Sequence, residues 1–119
     1  MAWDEGLAQL LRDELAGQPI SEKKMFGGLA FLLNGHMVCG VHKGGAMVRV
    51  GKDRYQTALN VSGVSPMMFT GKPMSGMVDV ADEACADDTR RGFLIGLALA
   101  TVADLPPKEP AKKRPKTKT

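Results

Sequence analysis

Cysteine is scarce. Cys39 and Cys85 are the only two in 119 residues and make no disulfide framework. The first residues, Met1-Ala2-Trp3-Asp4-Glu5, hold neither a cationic start nor an apolar run, so no secretory leader is expected and the cytoplasm is the expected compartment. No stretch reaches the roughly 18 apolar residues of a membrane span; the longest, Phe93 to Ala103, is shorter and carries Thr101. No internal repeat is visible. Phosphate loops of the Gly-x-x-x-x-Gly-Lys-Ser/Thr kind and EF-hand spacing are also missing, so neither a nucleotide-loop enzyme nor a calcium sensor is expected.

Charge is present but unevenly placed. The net charge is +3, yet residues 106–119 hold six Lys/Arg against one Glu, and the remainder holds ten Lys/Arg against twelve Asp/Glu. The body is therefore slightly acidic, and the high isoelectric point gives no reason to expect nucleic acid on its surface. From Pro106 onward there are prolines and lysines and no apolar residue beyond Ala111. Such a segment cannot form a core, which predicts one domain over 1–105 and a disordered basic tail over 106–119.

What is present centres on Lys24 to Gly51. Three apolar runs are separated by Asn34-Gly35 and Gly44-Gly45, both suited to two-residue turns with positive φ. That predicts an antiparallel three-stranded meander with Leu33 opposite His36, Phe31 opposite Val38, Lys43 opposite Ala46 and Val41 opposite Val48. Alternation then assigns Phe26, Gly28, Ala30, Leu32, Met37, Cys39, Val41, Ala46, Val48 and Val50 to the core face. The opposite face receives Leu29, Phe31, Leu33, His36, Val38, His42, Met47 and Arg49, a mixture suited to binding a partner protein. Its apolar members form a patch that a second copy of the chain would bury, so a homodimer is expected. A glycine-permitted bulge at Gly27-Gly28 would disturb the first residues only.

Around the meander, Asp4 to Ala16 reads as an amphipathic helix capped by Asp4, with Leu7, Leu11 and Leu15 inward and Gly17 and Pro19 as its stop. Lys52 to Asn60 is a short helix, and 67–70 and 77–80 are short strands joined through Gly71-Lys72-Pro73. Residues 81–86 read as a connector that leaves Cys85 exposed. Asp87 or Asp88 caps a final helix to about Asp104, apolar nearly all round and so expected to be buried on more than one side. The order α-β-β-β-α-β-β-α predicts an α+β, two-layer domain: a five-stranded antiparallel sheet with helices on one face.

Several of these residues also carry a family resemblance. Lys24-Met25-Phe26-Gly27-Gly28, Phe31, Asn34-Gly35, Met37, Gly40-Val41 and Arg49-Val50-Gly51 are followed by Phe69-Thr70-Gly71-Lys72-Pro73-Met74, Gly76 and Leu105-Pro106-Pro107-Lys108. Over about residues 2 to 108 this pattern resembles the N-terminal domain of the TfoX/Sxy proteins, named for regulating competence genes in bacteria. The resemblance implies the same α+β architecture and a regulatory, non-enzymatic role. It implies a stand-alone version, without the second, C-terminal domain of full-length competence regulators.

Candidate chemistry is thin. His36, Cys39 and His42 look like metal ligands in the linear sequence, but Cys39 points away from both histidines. The histidines also lie six residues apart, roughly 20 Å along a strand, so no metal site is expected. Cys39 lacks a neighbouring base, and acidic neighbours should raise the Cys85 thiol pKa, so no nucleophile is expected. Asp79, Asp82, Glu83, Asp87 and Asp88 read as a solvated acidic edge. No cofactor, catalytic residue or membrane partner is expected, and the partner protein is unknown. Two alternatives stand beside the interaction domain. Lys108, Lys112, Lys113, Arg114, Lys116 and Lys118 could contact nucleic-acid phosphates non-specifically, without any aromatic for stacking. A nucleic-acid-modifying enzyme is the third reading and lacks a visible cofactor loop or base.

Overall fold

The computed structural model describes residues 3–25, 27–69 and 71–105. Expectations for Phe26 and for the tail, including Lys108, Lys112, Lys113, Arg114, Lys116 and Lys118, lie outside them.

The chain runs α1 (Glu5–Glu14), β1 (Ile20–Met25), β2 (Gly28–Leu33), β3 (His36–His42), β4 (Gly45–Arg49), a 3-10 turn (Lys52–Arg54), α2 (Tyr55–Leu59), β5 (Val64–Phe69), β6 (Lys72–Ala81), α3 (Asp82–Ala86) and α4 (Asp88–Ala103). Six strands form one antiparallel sheet in the order β1-β2-β3-β4-β6-β5. The α+β class and the single helical layer agree with the sequence reading; the strand count is six, not five. The additional strand is β1, Ile-Ser-Glu-Lys-Lys-Met, whose four central residues are exposed. Charge suits an edge strand, because it discourages pairing with other chains, but it removes the apolar alternation by which a strand is recognised. β6 is longer than the expected 77–80, and residues 82–86 form a helix instead of a connector.

Both long helices begin where the sequence places their caps. The Asp4 carboxylate accepts from the Gly6 and Leu7 amides at 2.7 and 3.2 Å, and Asp87 accepts from the Arg90 amide at 3.0 Å. Each satisfies donors that a helix start leaves open. α1 buries Leu7, Ala8 and Leu11, and Leu15 follows them into the core. α4 buries Leu94, Ile95, Ala98 and Val102. Phe93 on its outer side is 46% exposed, so this helix is buried on one side within the chain. Arg91 joins the helices: its guanidinium donates to the Cys85 carbonyl at 3.0 Å and to Asp88 at 2.7 Å, and lies 3.3 Å from Glu14 of α1.

The register of the meander departs from the simple alternating one. Asn34 and Gly35 take φ of 55° and 84°, as the expected turn requires. Leu33 pairs with His36 and Leu32 with Met37, but then Phe31 pairs with Cys39. Val38 is the extra residue of a β-bulge. One inserted residue reverses the faces of β2 relative to the rest of β3. Phe31 is completely buried, and Leu29, Leu33, Val38, Cys39 and Val41 join it in the cluster with the helices. The second turn uses Lys43-Gly44, not Gly44-Gly45, with His42 opposite Gly45 and Val41 opposite Ala46. This slip is two residues, so it leaves the faces of β4 unchanged: Ala46, Val48 and Val50 are buried in the core as expected.

Four residues expected on the partner-binding face, Leu29, Phe31, Leu33 and Val38, are thus core residues. The apolar patch from which a homodimer was expected lies inside one chain. Arg12 closes the core above Phe31, its guanidinium 6.0 Å from the ring centroid, and forks onto Glu22 of β1 at 2.7 and 3.1 Å. Phe31→Ala should cost about 3–5 kcal/mol in denaturant unfolding. Phe31→Glu, which buries a charge, should leave no cooperative transition. A Phe31→Glu protein that folds with near-native stability would contradict this placement.

Candidate functional site

All the helices pack on the face that carries Phe31, Val41, Val48 and Val80. Strand alternation places Met25, Gly28, Ala30, Leu32, Met37, Gly40, His42, Met47, Arg49, Met77 and Asp79 on the other face. Ala30, Met47 and Met77 are buried yet stand outside the helix-side cluster. The Met37 and Met47 methyls lie over Gly40, where an added Cβ would meet them at 3.3 and 3.2 Å. Gly40 therefore lets two long thioether side chains lie flat across the sheet. The result is a surface of unbranched, polarizable side chains that can repack around different shapes.

Of the eight sequence candidates, His42, Met47 and Arg49 are on this open face. Leu29, Phe31, Leu33 and Val38 are in the core, and His36 is half-buried at the turn opposite Leu33. Gly28, Ala30, Leu32 and Met37, expected on the core face, are on the open face instead, and Met77 and Asp79 of β6 join them. The signal for the reversal was the run Met37-Val38-Cys39, three apolar residues in succession where alternation asks for a polar one.

A close pair of titratable groups on the open face is His42 with Asp79, 2.7 Å apart across β4. The Gly44 amide donates to Nδ1 of the same imidazole at 3.0 Å. Nδ1 is therefore an acceptor and Nε2 carries the proton toward Asp79. Both ring nitrogens are committed, so this pair fastens the β3–β4 turn to β6 and leaves no free nitrogen to take a substrate proton. Among the described residues, no three His, Cys, Asp or Glu side chains gather as metal ligands.

At the β4 end of this face lies an open groove of about 550 Å³, lined by Met37, Met74, Met77 and Leu105 with Arg49 and Lys52. A glycine pair is part of its lining. Gly51 and Gly76 both take φ of 85°, and a Cβ on Gly76 would come within 3.3 Å of the Gly51 backbone. The Gly76 carbonyl accepts from the Val50 and Gly51 amides at 2.8 and 3.0 Å. Thr101 of α4 closes the far wall by donating to the Val50 carbonyl at 2.7 Å.

The cysteines are both buried, Cys85 included, because residues 82–86 are helical and turn it inward. Burial pushes the Cys39 thiol pKa far up, and it lifts Cys85 to about 11 against the opposing pull of Arg91. The thiolate is the reactive species. Both should therefore label at least roughly a hundredfold more slowly than a free thiol near pH 8, and denaturation should release both. Fast labelling of either in the native protein would contradict its burial.

Among the described residues, no helix is long and apolar enough to cross a membrane. Comparison with curated proteins finds no match, and neither does comparison with solved structures. The family model of the TfoX N-terminal domain matches residues 10–102, which span the second half of α1, all six strands, α2, α3 and nearly all of α4. The chain belongs to the TfoX N-terminal domain family.

Proposed function

We propose that this chain is a non-enzymatic regulatory domain of the cytoplasm that works by protein contact, in regulation linked to competence or transcription. The observation that carries the reading is the open sheet face. It presents half-buried Met25, Leu32 and Met37 beside the buried Met47 and Met77, around a small-residue centre of Gly28, Ala30 and Gly40, with Arg49 and the His42–Asp79 pair at its margin. Apolar side chains inside a polar rim are the anatomy of a protein interface, and methionine is favoured where one surface must fit several shapes. Family membership supports the regulatory part of the reading. The committed nitrogens of His42 and the two protonated, buried thiols support the non-enzymatic part.

The positive charge concentrated in residues 106–119 favours a second reading, weak and salt-sensitive contact with nucleic acid through the tail. A variant ending at residue 107 separates the two, because it keeps the open face and removes all six tail cations.

The test is a matched set of tagged proteins expressed in the source organism: wild type, Met25→Glu/Leu32→Glu, and the tail deletion. Met25 and Leu32 are half-buried, so the double variant should fold with an unchanged thermal transition. It should lose the proteins retained by the wild type and the transcript changes caused by wild-type overexpression, while the tail deletion keeps both. Sedimentation of the same set shows whether a second copy is the partner. A Met25→Glu/Leu32→Glu protein that behaves as wild type in retention and transcripts would overturn the reading.

A further inference from the structure

Among the described residues, the arginine in the groove at the β4 end of the open face differs from the other arginines in its charge environment. Among the described residues, Arg12, Arg54, Arg90 and Arg91 each have a carboxylate within 4.0 Å. Arg49 is the exception: it is half-buried and has no carboxylate partner among those residues. Lys52, on the same groove, has none either. A guanidinium partly removed from water without a counter-ion gains from a carboxylate brought to it, by a charge-assisted and often two-pronged hydrogen bond. Beneath the two cations, Met37, Met74 and Met77 form an apolar floor, and Met74 is 37% exposed.

We propose that this groove receives an acidic segment of a partner protein, seating one apolar side chain on the methionine floor and its neighbouring carboxylates on Arg49 and Lys52. The inference rests on the protein-contact reading and adds the chemistry of the partner. The chain's own continuation is the wrong occupant. Residues 106–119 carry six Lys/Arg against one Glu, so they would meet like charge there. Nucleic acid is also a poor match, because among the described residues no aromatic ring lines the groove to stack a base, and its two described cations make a short phosphate track.

The glycine pair fits the same role. Gly51 and Gly76 line the groove with bare backbone, and both take the positive φ that glycine tolerates. Thr101 and Leu105 extend the wall from α4, so the groove is built by three parts of the chain that the core already fixes.

The experiment uses the full chain labelled with ¹³C at the methionine methyls. It is titrated at physiological salt with three capped hexapeptides: two leucines flanked by aspartates and glutamates, the same leucines flanked by lysines, and the acidic frame with serines for leucines. The first should shift the Met37, Met74 and Met77 methyls and leave Met25 unmoved. The other two should bind at least roughly tenfold more weakly. Lys52→Glu and Met74→Glu, both at exposed positions, should keep the thermal transition and lose the shifts; Arg49→Glu should do the same. Groove methyls that ignore the acidic leucine peptide, or that answer the lysine peptide equally, overturn the proposal. So does an oligothymidine that moves these methyls more strongly than any peptide, which would make the groove a nucleic-acid site. If the peptides fail while Met25→Glu/Leu32→Glu still loses its retained proteins, the groove chemistry is wrong and the open-face reading stands.

Discussion

A single extra residue in β3 governs the two faces of this sheet. Val38 has no partner of its own in β2, and from that point Phe31 faces Cys39 instead of Val38. The helices pack on the side that results, where Phe31, Val38 and Cys39 are completely buried together. The methionines receive the other side. Without the bulge, Phe31 and Leu29 would have to share a face with His42 and Met47, and α1 would have no ring beneath Arg12. The arrangement holds because both sides gain from it. The helix side acquires a large aromatic group for a small core, and the open side receives Leu32 and Met37 instead of a rigid, fully exposed Phe.

The open face is unusual in what it puts next to what. Small residues on the central strands let long unbranched side chains lie across them, and charge is pushed to the margins. His42 and Asp79 lock one end of that surface, and the Gly51–Gly76 contact shapes the other. The proposed contact reading rests on this arrangement of apolar side chains with charge at their margins.

Much of the fold was legible from local chemistry. Asp4 and Asp87 cap their helices, Asn34-Gly35 makes its turn, and Cys39, Val41, Ala46, Val48 and Val50 are buried as alternation foretells. The rest depended on signals that are weak for physical reasons. β1 is a charged edge strand and so lacks the apolar period that marks buried strands. The bulge depends on which of two apolar neighbours, Val38 or Cys39, is left without a partner, and side-chain type does not separate them. That one ambiguity displaced half of the expected binding face, since Leu29, Phe31, Leu33 and Val38 moved to the core while His42, Met47 and Arg49 did not. The groove was invisible because its lining comes from β3, β4, β6 and α4, brought together by tertiary structure alone.

The most direct test is the pairing itself, read from proton–proton contacts in solution by nuclear magnetic resonance. The account predicts cross-strand backbone contacts linking Phe31 with Cys39 and Leu32 with Met37, and contacts from the Phe31 ring to α1. Backbone contacts between Phe31 and Val38 in a regular ladder, with the Phe31 ring away from α1 and beside Met47, would contradict it.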